Sequence, residues 1–345
     1  MSPQRSKRKP RTLRVLVLMH PDFVPPPNAG EANDRESFDW KTEYDVLSTL
    51  RKLGHEVQAL GVADELRPIR QAVEAFQPHV VFNLLEEFHG LASFDHHVVS
   101  YLELMRVPYT GSNARGLVLA RDKALSKKVL AYHRIPAPAF HVFPRGQRVR
   151  APRQLGYPVI VKSLTEESSL GIAQASVVDD AEHLAERVRF IHDSVGSDAI
   201  AERFIEGREL YVGLLGNRRV QVLPVWELRF DNLPRGALAI ATARAKHNPD
   251  YQEKRGVRSE EAELPPELAA RIQRTSRRIL RILELDGYAR IDYRLAEDGT
   301  LYFLEANPNP DIAEREDFAA AARAAGVAYP QLLERILNLG LARGR

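Results

Sequence analysis

One polar segment constrains the fold of this chain more than any other part of its sequence. It is YARIDYRLAEDGTLYFLEANPNP, at positions 288–310, in which two alternating apolar and polar runs flank the dipeptide Asp298-Gly299. An Asp-Gly pair between alternating runs is typical of a two-residue hairpin turn. A hairpin closed by that turn places Asp292 of its first strand directly opposite Glu305 of its second.

The same register places four polar side chains on one face of the hairpin. Arg290 lies opposite Asn307, and alternation gives both the face of Asp292 and Glu305. Opposed carboxylates destabilise a sheet unless a cation lies near them, and one arginine cannot saturate both. Two carboxylates and an amide oxygen suit Mg²⁺, which keeps waters and shares phosphate oxygens. The segment therefore predicts a magnesium site, and a solvated network of arginine and acids is the alternative.

Two other segments carry weaker signals for nucleotide binding. In VIVKSLTEESSLG, at 159–171, an apolar strand delivers Lys162 to a loop of small residues whose backbone N–H groups could hold phosphates. The loop is not a Walker A motif, because G-x-x-x-x-G-K is absent. In AERFIEGRE, at 201–209, two strands could meet at a hinge, where the backbone would bind adenine and Glu209 a ribose. Taken alone, the first segment is more often a plain turn, and solvated surface charges explain the second segment better than a nucleotide site does.

Apolar runs and helical spacings alternate along the first third of the chain. The expected strands cover residues 13–19, 56–60, 79–84 and 108–110. The expected helices cover residues 41–53, 67–76 and 98–105. This β-α-β-α order predicts an open parallel sheet in a first domain at residues 12–115.

The rest of the chain divides into two further units. The smaller unit spans residues 116–205, and its expected elements are a helix at 122–132 and strands at 139–142, 159–162 and 199–204. The last unit spans residues 206–345, with strands at 209–215, 220–228, 289–295 and 301–306 and a long amphipathic helix at 266–285. Residues 232–263 have weak periodicity and many charges, which predicts a functional or disordered loop. Residues 241–263 within it are a candidate mobile lid.

Composition excludes several classes of function. The 345 residues suggest two or three domains, and the absence of cysteine excludes disulfides, thiolate metal sites and a cysteine nucleophile. No apolar run approaches the length of a membrane span. The chain has a net charge of +3. Its first fourteen residues carry +6, so the remaining residues together carry −3. Residues 1–11 therefore form a basic tail, expected to be disordered and solubilising, with docking on nucleic acid or anionic lipid as the alternative. A nucleic-acid partner is not expected, because the rest of the sequence shows no aromatic and basic pattern.

Five segments together resemble the ATP-grasp superfamily and, within it, the D-alanine–D-alanine ligase family. They are VFNLLEEFHG, PYTGSNARGLVLARDKALSKKVLAYHRIPAPAF, YPVIVKSLTEESSLGI, ERFIEGRELYVGLLGN, and ARIDY with LEANPNP, in the family's order over nearly all of residues 79–310. The resemblance implies an α/β ATP-grasp fold. A preATP-grasp parallel-sheet domain would come first, and two α+β subdomains, a small lid at 116–205 and a larger one at 206–345, would clasp ATP.

The resemblance also implies a role for each matching residue. The ATP-binding residues would be Lys123, Lys162, Ser168, Glu202, Phe204, Ile205 and Glu209. The metal ligands, for two Mg²⁺ ions or for Mn²⁺, would be Asp292, Glu305 and Asn307. The catalytic residues would be Arg290, Ser169 and Lys246, the last in ATARAKH, a worn form of the family's mobile-loop motif. The implied chemistry is activation of a carboxylate by ATP to an acyl phosphate, which an amine then attacks.

The chain departs from the family where substrates bind. The family's Ser-x-Glu signature after the first strand is absent, and the family's Gly-Glu-Asp-Gly is here Ser-Phe-Asp-His. The candidate substrate residues are His89, Asp95, Asn309, Glu316 and Asp317. The last two stand where the family has a Ser-Leu pair that accepts the carboxylate of the second D-alanine, and two acids would repel it. This predicts a cationic, larger or carboxylate-blocked acceptor. The alternative is that the two acids merely favour a helix N-terminus.

The leading hypothesis is a cytoplasmic, ATP-dependent carboxylate–amine ligase acting on amino acids or peptides. The alternative is an amino-acid ligase that modifies a protein or peptide terminus, with the basic tail docking on an acidic partner. A nucleotide-binding module without catalysis is disfavoured, because the residues implied for catalysis are present. Family members are often dimers through the first domain, so a homodimer is expected, and a membrane partner is not.

Overall fold

The computed structural model describes residues 12–26, 29, 39–150, 152, 155–166, 171–242, 244–245 and 248–344. In these residues the chain forms three sheets with helices packed against them, so the mixed α/β class is as expected. Within this part of the chain, no helix combines the length and the hydropathy that a membrane span requires.

The first sheet is parallel, in the order β2-β1-β3. Its elements are β1 (Arg14–Met19), α1 (Lys41–Lys52), β2 (Glu56–Gly61), α2 (Arg67–Phe76), β3 (Val80–Asn83), α3 (Asp95–Leu104) and α4 (Ala114–Arg121). The strand expected at 108–110 is wrong: only one bridge, between Val81 and Tyr109, forms there. Gly111, with a φ of 92°, turns the chain away directly after Thr110.

The second sheet is antiparallel, in the order β4-β7-β5-β6. Its elements, with the helix that precedes them, are α5 (Lys123–Tyr132), β4 (Phe140–Phe143), β5 (Val159–Ser163), β6 (Val177–Val178), α6 (Ala181–Phe190) and β7 (Ala199–Arg203). Leu184 and Val188 of α6 pack against Val159 and Val161 of β5 in a core separate from that of the other sheets. This small unit therefore has a hydrophobic core of its own.

The third sheet is antiparallel, in the order β10-β9-β8-β11-β12. Its elements are β8 (Arg208–Leu215), β9 (Gln221–Phe230), α7 (Pro249–Arg255), β10 (Val257–Glu261), α8 (Pro266–Ile282), β11 (Tyr288–Leu295), β12 (Leu301–Pro308), α9 (Asp317–Ala324) and α10 (Tyr329–Leu341). The prediction of a loop over 232–263 is wrong where α7 and β10 form. Asn248 caps α7, and β10 is a partly exposed edge strand without an apolar face that a sequence pattern would reveal.

The third sheet has two differently covered faces. Val212 of β8 and Ile291 of β11 pack under α8, whereas Tyr211 of β8 points the other way, toward Phe318 of α9. On that second side α10 packs Leu333 and its neighbours against Phe82 of the first sheet. The last helices thus join the first and third sheets, and they enclose the face that carries the polar residues of β11 and β12.

The β11–β12 hairpin has the predicted pairing at the site, but its turn differs from the predicted one. Its turn has three residues rather than two, because the Ala296 N–H donates to the Thr300 carbonyl at 3.0 Å and Gly299 takes a φ of 79°. The pairing near the turn is therefore shifted by one residue. A bulge at Leu304 then restores the register, and Asp292 lies opposite Glu305 as predicted. Because of the bulge, Leu304 lines the cleft described below.

Candidate active site

A cleft lies between the second and third sheets, and most of the predicted nucleotide and metal residues line it. Its charged lining consists of Lys162, Glu202, Arg203, Glu209, Asp292, Arg294 and Glu305. Its apolar lining includes Pro138, Ile160, Ile172, Phe204, Ile205 and Leu304. Apolar walls beside a charged end suit a planar base joined to a phosphate chain.

A buried carboxylate between two lysines forms the floor of the cleft. The Glu202 side chain, 1% exposed, lies 2.8 Å from Lys127 Nζ and 3.0 Å from Lys162 Nζ. Burial alone would raise the pKa of Glu202, but the two lysines outweigh it and hold that pKa below its usual value. Burial lowers the pKa of Lys127 to about 8 against the opposing effect of Glu202. All three groups depend on one another, because a buried charge without a partner is costly.

Lys127 is the residue of this triad that sequence reasoning missed. Besides its pair with Glu202, its ammonium donates to the carbonyl of Leu304, the residue that bulges out of β12. One side chain therefore ties α5 to the nucleotide-facing strand β7 and to the predicted metal strand β12. Its signal in the sequence is its position, four residues after Lys123 and so on the same face of α5.

Lys123 is presented by the start of α5. Asp122 caps the helix by accepting from the backbone N–H groups of Ala124 and Leu125, both at 2.8 Å. The Lys123 ammonium donates to the carbonyl of Glu166 at 2.6 Å and lies 3.5 Å from Glu305 Oε2. It thus lies between the start of the predicted phosphate loop and a predicted metal ligand. Ser168, Ser169 and Lys246 lie outside the described residues, and their roles stay predictions.

The predicted metal residues meet on the hairpin face. Arg290 donates to both carboxylate oxygens of Asp292, at 2.8 and 2.9 Å, and lies over the ring of Tyr211 at 4.8 Å. Burial would lower the pKa of Arg290, but Asp292 raises it well above its usual value. The amide nitrogen of Asn307 donates to Asp292 at 2.9 Å, so its carbonyl oxygen is the atom left to bind a cation.

These donors fit a magnesium ion shared with a nucleotide. Asp292, Glu305 and Asn307 offer only oxygen atoms, which suits Mg²⁺ or Mn²⁺. In the described part of the chain, no group of three or more His, Cys, Asp or Glu side chains could hold a metal by itself. Two carboxylates and one amide leave the remaining positions of an octahedral ion to phosphate oxygens and water.

Glu209, the predicted ribose ligand, is held rigidly by two neighbours. Arg294, directly across from it on β11, donates to Glu209 Oε2 at 2.8 Å, and the Tyr211 hydroxyl donates to Oε1 at 2.9 Å. Each carboxylate oxygen keeps a second lone pair for a ribose hydroxyl. Sequence reasoning missed Arg294, although it follows Asp292 by two residues and so shares its face of the strand.

Two acids stand at the other end of the hairpin face. Glu316 is the N-cap residue of α9 and forms an ion pair with Lys41 of α1. Asp317 is the first residue of α9, and its charge raises the pKa of Arg290 in addition to the larger effect of Asp292. The two acids therefore lie at a helix N-terminus, and Asp317 also lies within electrostatic reach of a predicted catalytic residue.

Three predicted substrate residues have other partners. Asp95 is buried in an ion pair with Arg121, and the backbone N–H of the exposed His89 donates to the carbonyl of Ala63 at 2.6 Å. Asn309 accepts from the backbone N–H of Ser112 at 2.7 Å and holds the end of β12 against the first domain. None of these three side chains is part of the lining of the cleft in the described part of the chain.

The buried carboxyl group of Glu43, in α1 near this end of the site, should make the stability of the fold depend on pH. Its side chain is 6% exposed, and burial, with a smaller effect of Asp311, raises its pKa to about 7. A carboxyl with a raised pKa in the folded state stabilises the fold below the unfolded pKa of about 4.5, and this stability is lost as pH rises through 7. Between pH 4.5 and 8, we expect the wild type to lose about 3 kcal/mol of unfolding free energy relative to Glu43→Gln. Urea unfolding of both proteins across that pH range measures the difference. The exposed control Glu56→Gln should follow the wild type, and parallel profiles for Glu43→Gln and the wild type would contradict the assignment.

A cleft between an antiparallel lid and a larger antiparallel sheet, with opposed carboxylates on the large sheet and buried lysines facing them, defines the ATP-grasp class of ligases. The family model described as D-ala D-ala ligase C-terminus matches residues 129–338 of this chain. The chain belongs to the D-alanine–D-alanine ligase family.

Individual relatives and solved structures agree with that family. The D-alanine–D-alanine ligase of Desulfotalea psychrophila is 32% identical over 284 residues, covering 80% of this chain and 82% of the relative. That of Syntrophotalea carbinolica is 32% identical over 303 residues, covering 86% and 89%. The structure of the Bacillus anthracis D-alanine–D-alanine ligase complexed with ATP superposes with a TM-score of 0.74 at 22% identity, covering 96% of this chain and 99% of that chain, so the fold is shared. The protein is an ATP-dependent ligase, and its family uses ATP and divalent metal ions.

Proposed function

We propose that this protein joins a carboxylate to an amine with ATP as the energy source. The observation that carries the proposal is the pairing of Asp292 with Glu305 across the hairpin, beside Lys123 and Lys162. A carboxylate oxygen of the donor attacks the γ-phosphorus, and the bond to ADP breaks. The nitrogen of the acceptor then attacks the acyl carbon, phosphate leaves, and the amine gives up a proton.

The residues of the chain divide this work by charge. Lys123 and Lys162 bind the phosphates, and the apolar walls of the cleft take the adenine. Arg290, kept charged by Asp292, stabilises the negative charge of the acyl phosphate. Two Mg²⁺ ions, or Mn²⁺ in their place, held by Asp292, Glu305 and Asn307 would offset the charge of the transferring phosphoryl group. Closure of the lid keeps water from the acyl phosphate.

We propose further that the acceptor is not free D-alanine. Asp317 adds negative charge where a substrate carboxylate would otherwise bind. Glu316, although it pairs with Lys41, raises the pKa of the neighbouring Asp311 after the larger effect of burial. A carboxylate beside these groups would meet like charges. A cationic, larger or carboxylate-blocked amine fits this end of the site better.

Phosphate release with ATP, Mg²⁺ and a panel of amino acids, amides and diamines tests this acceptor assignment. We expect little release with D-alanine alone, and at least a tenfold lower KM for D-alanine in Glu316→Gln/Asp317→Asn, because a repulsion of about 1.4 kcal/mol is removed. Glu314→Gln, two residues earlier and exposed, is the matched control. Rapid release by the wild type with D-alanine as sole amino acid would contradict the proposal.

The remaining expectations extend this proposal. A protein or peptide terminus as acceptor rests on the basic tail at residues 1–11, which lies outside the described residues. The homodimer and the cytoplasmic location follow from the family resemblance and stay predictions.

A further inference from the structure

A groove lined by arginines lies on the surface formed by α8 and the end of α5. It is lined by His133, Arg274, Arg277, Arg278, Arg281 and Ile282. Arg277 and Arg278 each lie three or four residues from both Arg274 and Arg281, so the four arginines share one side of α8. The opposite side of the helix carries Ile272 and Ile279, which are buried against the third sheet.

The arginines of this groove lack the carboxylate partners that several other surface arginines have. Arg208 pairs with Glu227 at 2.6 Å, and Arg258 pairs with Asp231 at 2.6 Å. Within the part of the chain that the structure describes, no ion pair joins Arg274, Arg277, Arg278 or Arg281 to a carboxylate. Like charges three or four residues apart destabilise a helix, so this surface carries a repulsion that a bound anion would offset.

An exposed aromatic ring lies next to His133, the residue of α5's end that lines the groove. Tyr132, the last residue of α5, is 86% exposed, and its ring lies edge-on to His133 with centroids 5.2 Å apart. Arg278 donates to the carbonyl of His133 at 2.9 Å and so holds the two walls together. Lys128, exposed and one helical turn before Tyr132, adds a further positive charge on the same side of α5.

The groove lies on the opposite side of the third sheet from the candidate active site. Ile291 of β11 packs with Ile279 under α8, whereas Arg290 and Asp292 of the same strand point to the other face. The ligase chemistry therefore does not use this surface.

We propose that this arginine groove (Arg274, Arg277, Arg278 and Arg281, with Tyr132 and His133) binds a single strand of nucleic acid. Guanidinium groups bind phosphate oxygens through paired N–H donors, and an exposed aromatic ring stacks on a base whatever its identity. A concave groove suits a strand better than a flat lipid surface. The sequence conceals the pattern, because its basic and aromatic parts lie on helices about 140 residues apart.

Binding of a labelled 20-nucleotide single-stranded RNA to the full-length protein, followed by fluorescence anisotropy at several salt concentrations, tests this inference. In Arg274→Gln/Arg277→Gln/Arg278→Gln/Arg281→Gln we expect at least a tenfold weaker Kd and a shallower salt dependence, by roughly 3 in log–log slope, since each phosphate contact contributes about 0.7. Tyr132→Ala should weaken binding about fivefold or more without changing the slope.

The matched control replaces four exposed or half-buried arginines elsewhere, as Arg218→Gln/Arg229→Gln/Arg235→Gln/Arg258→Gln, and should bind RNA like the wild type. All these proteins keep the basic tail, so equal binding by the groove variant and the wild type would assign the affinity to the tail and overturn the proposal. Equally tight binding of poly-glutamate, with no effect of Tyr132→Ala on either probe, would assign the groove to acidic polypeptides and also overturn it. An unchanged melting temperature and unchanged ATP-dependent phosphate release in the groove variant would show that the loss of RNA binding is local.

Discussion

Replacing Glu305 with glutamine is expected to lower kcat for ATP-dependent phosphate release by about a thousandfold. Glutamine keeps the size of the side chain but removes a negative charge from a site of two carboxylates and one amide. Charge stabilisation by a bound metal is worth several kcal/mol in the transition state, and each 1.4 kcal/mol is a factor of ten in rate. A coupled assay for ADP, run at saturating ATP and acceptor, measures the loss.

The hairpin itself provides the control for this prediction. Glu297 lies at the exposed turn of the same hairpin, and Glu297→Gln should keep kcat within about twofold, because a surface charge far from the reaction contributes little. The concentration of Mg²⁺ needed for half-maximal activity should rise in Asp292→Asn as well. Wild-type turnover by Glu305→Gln, with an unchanged Mg²⁺ requirement, would refute the metal assignment.

Replacing Lys127 with methionine is expected to cause a large loss of stability. The ammonium lies 2.8 Å from the buried Glu202 carboxylate and also donates to the Leu304 carbonyl at the bulge of β12. Methionine fills the space but leaves the carboxylate with Lys162 as its one remaining lysine partner. Breaking a buried ion pair by removing one partner costs about 3–5 kcal/mol. Urea unfolding at pH 7 measures the loss, and we expect a higher KM for ATP in the same variant.

The neighbouring residue separates this effect from a general loss of helix charge. Lys128 is exposed on α5, and Lys128→Met should change the unfolding free energy by about 0.5 kcal/mol or less. Lys127→Arg keeps the charge and should recover part of the stability and of the ATP affinity. If Lys127→Met unfolds at the wild-type urea concentration and binds ATP as tightly, the buried triad does not organise the cleft.

Local sequence patterns were sufficient to predict most of the individual helices and strands. The helix at 67–76 was predicted at both ends, and the strands around Lys162 and Glu202 differ from their predicted bounds by one residue. These elements have strong apolar periodicity, so their conformation depends on near neighbours in sequence. Three elements without such a pattern were missed: α4, α7 and β10. Helix α7 and strand β10 are short and largely exposed, and α4 has only eight residues.

The pairing of Asp292 with Glu305 was predicted correctly, although the turn was assigned wrongly. A two-residue turn, and a three-residue turn followed by a bulge, give the same register at the site. The two arrangements differ only in the pairs between the turn and the bulge. The sequence does not show a bulge, because the extra residue is accommodated by contacts from outside the hairpin. One of these is the bond from Lys127, about 177 residues earlier in the chain, to the Leu304 carbonyl.

The sequence by itself determined the family, the order of the elements and the residues that meet across one hairpin, because each depends on local patterns or on motifs read in order. Tertiary structure decided which charges are paired. Lys127 and Arg294 become partners of Glu202 and Glu209 only when α5, β7, β8 and β11 pack together. It also decided that α10 covers the first sheet and that the arginines of α8 lie beside His133. Such contacts join residues far apart in the chain, and burial sets their energies, so no local pattern specifies them.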